Sequence, residues 1–208
     1  MPLVRKPGVT SQESTPERAT VLAGLASANA DERWAAARAA TSAKVDAGTL
    51  AATLRNEAEP RVREALFTAL ARIGTTESAQ EMLALLRSDN ASMRTGALDA
   101  LRVMEDEVRK LLPELLSDPD ADIRILSCEL ARNLPGEEAT ALLCAALTDE
   151  REINVCAAAV EVLTEVGTLE ALPVLAACGQ RFRDSPFLGF AIQIATDRIK
   201  ALPTPARG

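Results

Sequence analysis

An arginine recurs at a nearly fixed interval through the first two thirds of the chain. Arg33, Arg63, Arg94 and Arg124 sit in the cores Ala30-Asp-Glu-Arg33-Trp, Glu59-Pro-Arg-Val-Arg63-Glu, Ala91-Ser-Met-Arg94-Thr and Ala121-Asp-Ile-Arg124-Ile, and Asn154 falls at the same step in a fifth core. One guanidinium per repeat along one face could bind anions; paired to carboxylates, it could instead hold one repeat against the next. The other residues able to do chemistry are Cys128, Cys144, Cys156 and Cys178, which contain no CxxC spacing and lie in apolar stretches such as Ala141-Leu-Leu-Cys-Ala-Ala-Leu147. They read as small core residues, without the spacing of a zinc site or a redox motif. The chain has no histidine, so it lacks Ser-His and Cys-His nucleophile pairs, imidazole metal ligands and histidine pH switches. The expectation is a protein that is not an enzyme, with no catalytic residue, no metal site and no cofactor.

The chain has 208 residues, 48% apolar and 2% aromatic, with a formal charge of −7. Alanine and leucine supply most of the apolar fraction, which favours helix over strand. The charge is concentrated: residues 137–170 hold eight acids against Arg151 alone, and residues 171–208 hold five bases and two acids. Duplex DNA or RNA is a poor partner for such a chain, because clustered Lys and Arg supply most of that affinity. No apolar run is long enough for membrane insertion, and the N-terminal residues lack the apolar core of a leader, so the location expected is cytoplasmic.

Each repeat reads as helix, short acidic turn, helix. Before each core lies an apolar run ending in a polar loop, as in Met82-Leu-Ala-Leu-Leu-Arg-Ser-Asp89. In the second helix small or apolar residues follow a 3.6-residue period: Val62, Ala65, Leu66, Ala69, Leu70 and Ile73 in one copy, Ile123, Ser127, Leu130, Ala131 and Leu134 in another. Gly48-Thr49, Gly74-Thr75 and Gly167-Thr168 each suggest a left-handed glycine stop beside an N-cap threonine, and Ser185-Pro186 suggests an N-cap and first-turn proline. Six helix pairs result, at about 16–46, 48–74, 76–104, 106–134, 136–167 and 168–202, with loose tails at 1–15 and 203–208. Phe187, Phe190 and Ile194 share one face of the last helix and are expected to turn inward and close the stack.

The segment Leu115-Leu-Ser-Asp-Pro-Asp-Ala-Asp-Ile-Arg-Ile-Leu-Ser-Cys-Glu-Leu-Ala-Arg-Asn-Leu134 resembles the HEAT-like repeat of phycobilisome lyases and many bacterial proteins. The resemblance covers residues 16–202 and implies an all-α fold, a right-handed α-solenoid of about six two-helix repeats. It also implies a structural ladder in which loop acids meet helix arginines, here Asp89, Asp118 and Asp149 with Arg33, Arg63, Arg94 and Arg124; Asn154 interrupts the series. Part of that family handles chromophores, so a chromophore lyase-like or other enzyme-accessory role is the alternative to a binding scaffold.

Such solenoids present the inner, second-helix face to partners. Counting one, five and eight residues past each anchor gives Trp34, Arg38 and Thr41; Glu64, Thr68 and Ala71; Thr95, Asp99 and Arg102; Ile125, Glu129 and Arg132; then Val155, Ala159 and Val162. The stripe turns from mixed charge to apolar, and an exposed apolar strip rimmed by charge marks a contact surface. Trp34 would be either an interface anchor or a cap over the open end of the first repeat. The functional expectation is a non-enzymatic scaffold or adaptor that binds another protein on its concave face, in a bacterial regulatory or assembly complex. A homodimer through the apolar strip is the competing arrangement.

Overall fold

The computed structural model describes residues 14–202. Apart from Ser14 and Thr15, which open the first helix, the tails expected at 1–15 and 203–208 lie outside the described residues. The described chain contains twelve α-helices and no strand: α1 Ser14–Leu25, α2 Ala30–Ala39, α3 Ala47–Asn56, α4 Pro60–Ile73, α5 Thr76–Leu86, α6 Ala91–Arg102, α7 Glu105–Leu115, α8 Ala121–Ala131, α9 Gly136–Asp149, α10 Ile153–Val166, α11 Leu172–Arg181 and α12 Pro186–Lys200. A 3-10 turn, Leu169–Ala171, leads into α11. Odd-numbered helices open each pair (helix A) and even-numbered helices close it (helix B).

The chain divides into two compact units, Met1–Met82 and Leu83–Gly208, with the division inside α5. In the first unit α2 packs on α1 and α4, and α4 on α3. Leu50, Leu54, Leu66 and Leu70 are wholly buried there, each contributing about 1.5–3 kcal/mol of apolar burial. Gly24 lets α1 lie close on α2, since a Cβ at that position would stand 2.9 Å from the Ala36 Cβ. In the second unit α8 packs on α6, α7, α9 and α10, α10 also on α9 and α12, and α11 on α9 and α12. Leu112, Ile123, Leu130, Leu143, Leu147 and Leu163 form the centre of its core.

One loop pattern starts the helix B of the first five pairs. Relative to the anchor residue, position −4 is the N-cap: Asn29, Glu59, Asn90, Asp120 and Glu152, all in extended backbone. Position −6 accepts a hydrogen bond on its side chain from the backbone N–H of position −4. The pairs are Ser27 with Asn29, Glu57 with Glu59, Ser88 with Asn90, Asp118 with Asp120 and Glu150 with Glu152. The anchor guanidinium then reaches back over the loop to the carbonyl of position −6. Arg33 donates to Ser27 at 3.0 Å, Arg63 to Glu57 at 3.3 Å, Arg94 to Ser88 at 2.6 Å and Arg124 to Asp118 at 2.7 Å. A cation at these carbonyls satisfies acceptors that helix A leaves open at its negative end.

The fifth repeat obeys this pattern only when Cys156 takes the anchor position, two residues later than Asn154. The Cys156 Sγ lies 4.0 Å from the Glu150 carbonyl, the contact that the arginine makes elsewhere. Arg181, at the end of α11, supplies the missing guanidinium. It donates to the carbonyls of Thr148 at 2.7 Å and Leu147 at 2.5 Å, in the last turn of α9.

The acids that meet the anchors differ from those expected. Arg33 makes a two-pronged pair with Glu57, at 2.7 and 2.9 Å, and Arg124 with Glu150, at 2.7 and 3.1 Å. Both glutamates occupy position −6 of the following repeat. Asp118 occupies the same position, but its side chain is one methylene shorter and it pairs with Arg87 instead of Arg94. Asp89 and Asp149 stand one residue out of that register and form no ion pair among the described residues.

The stops also need correction. Only Gly74 has the left-handed backbone, φ 62°; Thr75 then exchanges hydrogen bonds with Ser78 to start α5. Gly48 lies within α3, whose N-cap is Asp46, and the left-handed turn before it is made by Lys44 at φ 53°. Gly167 is extended at φ −66°. Ser185 caps α12 through the Leu188 N–H, with Pro186 in the first turn. On α12 the inward face belongs to Leu188, Ile192, Ala195 and Ile199. Phe187 and Phe190 are therefore turned outward, 72% and 68% exposed, with Ile194 beside them at 45%.

Candidate functional site

The helix-B face begins one residue after each anchor, where side chains point away from helix A. In the first unit it forms a groove of about 300 Å³ between α2 and α4. Trp34 and Arg38 line it from α2, Thr41 from the turn that follows, and Glu64, Thr68 and Arg72 from α4. Ala37, Ala65 and Ala69 form part of its wall, and Arg61 stands at its edge. The small residues leave the groove open, because α2 and α4 approach through alanines. The Arg38 guanidinium stacks over the Trp34 ring, 4.7 Å from its centre. Trp34 is half-buried and presents the rest of its indole to the groove.

Charge in the groove is only partly neutralised. Arg61 pairs with Asp31 across the two helices. Arg38, Arg72 and Glu64 form no ion pair among the described residues. A second cleft in this unit, about 650 Å³ between α1 and α3, is larger, but its charged groups are Arg33 and Glu57, which pair with each other. The Glu57 side chain is only 3% exposed there. The Arg33 guanidinium, with the Glu59 and Ala58 amides, holds its carboxyl below the ordinary range despite burial.

The face of the second unit carries the same kinds of residue in a different state. Arg102 pairs with Asp99 on its own helix and with Glu129 on α8. Arg132 pairs with Glu129 on its own helix and with Glu161 and Glu165 on α10. These contacts make a continuous ladder over α6, α8 and α10, which raises the Arg132 guanidinium above its usual value, chiefly through Glu165. Thr95 is exposed and Ile125 half-buried on this face. Asn133 donates to the Arg102 carbonyl at 3.1 Å and ties α8 to the end of α6.

The apolar end of the expected stripe does not exist as a surface. Val155, Ala159 and Val162 are 2%, 1% and 0% exposed. Their placement followed from counting from Asn154. Counted from Cys156, the face of α10 becomes Ala157, Glu161 and Thr164, which matches the ladder. The glutamate at −6, the glutamate at −4 and the valine at −1 were the signals in Glu150-Arg-Glu152-Ile-Asn-Val155-Cys156 that reveal this register.

Beneath that face, Cys156 and Cys178 lie buried and hydrogen-bonded to each other. The contact with Cys156 and the Arg181 guanidinium lower the Cys178 thiol against burial, and the contact with Cys178, with burial, raises the Cys156 thiol. Cys128 is pushed up to about 12 by burial. Among the described residues no group of acids and cysteines is arranged to hold a metal ion. No helix of the described chain is long and apolar enough to cross a membrane.

Comparison with known sequences places residues 108–186 in the family described as HEAT repeats. Those residues run from α7 to the start of α12, and the same two-helix unit recurs through the rest of the described chain. It is similar in structure to the HEAT-like repeats protein of the archaeon Thermococcus onnurineus NA1, at 18% identity and a TM-score of 0.49, covering 89% of this chain and 88% of that one. A designed armadillo repeat protein in complex with the peptide (KR)4 is similar at 17% identity and a TM-score of 0.43, covering 88% and 99%. The complex of the two phycocyanin lyase proteins from Nostoc sp. is similar at 14% identity and a TM-score of 0.38, covering 96% and 98%. No curated protein matches the chain in sequence.

Proposed function

We propose that this chain is a non-enzymatic adaptor that holds a partner protein on its helix-B face, within a cytoplasmic regulatory or assembly complex. Repeat solenoids of this class typically serve as binding scaffolds, and one observation carries the reading to a place. The α2–α4 groove combines the sole tryptophan with two guanidinium groups that have no carboxylate partner among the described residues. Aromatic and arginine side chains are the types that dominate interface energetics. Of the expected contact residues, Trp34, Arg38, Glu64 and Thr68 line this groove. Thr95, Asp99, Arg102, Ile125, Glu129 and Arg132 belong to the ladder-bearing face of the second unit. Val155 leaves the set because it is buried.

The test is hydrogen exchange on the complex purified from the native host. Slowed exchange over α2 and α4, relative to the free chain, is the expected result. Protection confined to helices A, or none, would remove this face from the proposal. A homodimer would use another surface: Phe187, Phe190 and Ile194 form an exposed stripe on α12 that two copies could cover symmetrically. Sedimentation at increasing concentration, with F187E/F190E as the control, separates that arrangement from a monomeric adaptor.

A further inference from the structure

We infer that the α2–α4 groove takes an acidic segment of a partner protein, with carboxylates on Arg38 and Arg72 and an apolar side chain on the Trp34 ring. This rests on the adaptor reading and names the chemistry of its partner. The groove lining holds three arginines and one glutamate. Arg61 is committed to Asp31, which leaves Arg38 and Arg72 to act on a ligand. A guanidinium offers a planar fork of donors that fits a carboxylate in two-pronged fashion. Arg38 is already oriented by its stacking on the indole, so less side-chain freedom is lost when a carboxylate docks. Ala37, Ala65 and Ala69 give the wall an apolar patch, suited to a small aliphatic side chain between two acids. The Thr41 and Thr68 hydroxyls add hydrogen-bonding groups for a peptide backbone.

Charge decides the class of occupant. A basic segment would meet two uncompensated guanidinium groups, with only Glu64 to answer it. A nucleic acid would need an extended row of cations, and of the groove's arginines only Arg38 and Arg72 form no ion pair among the described residues. In the second unit the comparable helix-B arginines, Arg102 and Arg132, are bound to the chain's own carboxylates. Those internal pairs show what this repeat surface accepts: acids that reach across a helix-B face to an arginine. The groove is the place where the fold leaves that role open.

Trp34 is the only tryptophan, so intrinsic fluorescence of the full chain reads the groove directly. The probe is a peptide of repeating Glu-Ala-Asp-Leu, with a Lys-Ala-Arg-Leu counterpart and a single-stranded oligonucleotide as comparisons. The expected result is a saturable change with the acidic peptide alone. R38E/R72E should weaken it at least tenfold, and the milder R38Q/R72Q in the same direction. R183E/K200E makes the same change in net charge outside the groove and should leave binding unchanged.

Absence of saturable binding overturns the inference, as does equal weakening by R183E/K200E or tighter binding of the basic peptide or the oligonucleotide. If the acidic peptide fails while α2 and α4 are still protected in the native complex, the acidic assignment falls and the adaptor face stands. If the peptide binds but the native complex protects other helices, the groove chemistry stands and the adaptor reading falls. Self-association abolished by R38E/R72E would identify the occupant as an acidic stretch of a second copy, and would overturn the assignment to a separate partner.

Discussion

Residues 1–82 contain ten basic and ten acidic side chains; residues 83–208 contain thirteen and twenty. All of the formal charge of −7 thus belongs to the C-terminal unit, yet its face arginines are the neutralised ones. Arg102 and Arg132 are drawn into a ladder with Asp99, Glu129, Glu161 and Glu165. In the N-terminal unit, where bases and acids balance, Arg38 and Arg72 line a groove and form no ion pair among the described residues. Net charge therefore misreports recognition. What a surface offers a partner is the charge that folding has left unpaired, and the second unit sets Asp99, Glu129, Glu161 and Glu165 beside its face arginines.

Each unit contains a joint of the same kind, a buried pair between an anchor and the glutamate at −6 of the next repeat. The largest expected effect comes from breaking it. Arg124→Met leaves Glu150 in place with its guanidinium gone and should cost about 3 kcal/mol, read from the urea midpoint of the full chain. R124M/E150Q should recover part of the loss. A cost under about 1 kcal/mol would mean that the backbone bonds of the loop hold the repeat without the pair.

The same joint has a pH signature. Burial pushes the Glu150 carboxyl up, but the Arg124 guanidinium and the amides of Glu152 and Arg151 outweigh it and leave a value below the ordinary one. The folded state therefore holds the proton less readily than the unfolded chain. The stabilisation is complete above the unfolded value, about 4.3, and is lost as pH falls through the lower folded value. The stability gap between wild type and E150Q should be constant at neutral pH and close on acidification. Glu57 in the first unit, lowered mainly by Arg33, should give E57Q the same profile. Different profiles would separate the two joints.

Much of this architecture is legible in residue order. Helix pairs, the core-facing series on α4 and α8, and the proline-led start of α12 all follow from periodicity and caps. Where structure and expectation part, local chemistry overrides the fixed interval. Counting thirty residues from Arg124 lands on Asn154, whereas the polar −6, capping −4 and apolar −1 residues lead to Cys156. The same local pattern singles out Glu57 and Glu150 over Asp89 and Asp149 as partners of the anchors. Gly48 and Gly167 resemble stops in composition, but backbone angle depends on neighbours: the Asp46 cap starts α3 before Gly48, and Lys44 makes the left-handed turn. Phe187 and Phe190 form a helical stripe as regular as the Leu188, Ile192, Ala195 and Ile199 stripe beside it. Only packing against α10 and α11 decides which turns inward. The pairing state of Arg38 and Arg102 is likewise invisible in sequence, because both are arginines on a helix-B face.

A middle-sized effect tests the faces directly. Arg132→Glu puts a further carboxylate among Glu129, Glu161 and Glu165, and should cost about 1 kcal/mol for these partly exposed pairs. Arg72→Glu removes no internal pair and should stay within about 0.5 kcal/mol of wild type. Thermal unfolding of the two variants side by side makes the measurement. Equal losses would mean that Arg72 is as engaged as Arg132, which would erase the distinction between the units.

The smallest effect on stability carries the sharpest reading of local field. Arg38→Gln removes an exposed cation–π contact worth about 0.5–1 kcal/mol, near the limit of a melting experiment. Quenching of Trp34 fluorescence avoids that limit. Unpaired guanidinium groups concentrate an anionic quencher at the indole and repel a cationic one, so iodide should quench Trp34 more efficiently than caesium at equal, low ionic strength. R38Q/R72Q should bring the two quenchers together. A tryptophan at the corresponding position of α8, Ile125→Trp in a Trp34→Phe background, places the same reporter one residue after Arg124, beside Glu129 and the ladder. There caesium should match or exceed iodide, because the arginines are already satisfied and the surrounding carboxylates set the sign. If both reporters favour iodide alike, the two faces present the same field to a ligand, and the groove loses its claim to be the distinctive site of the chain.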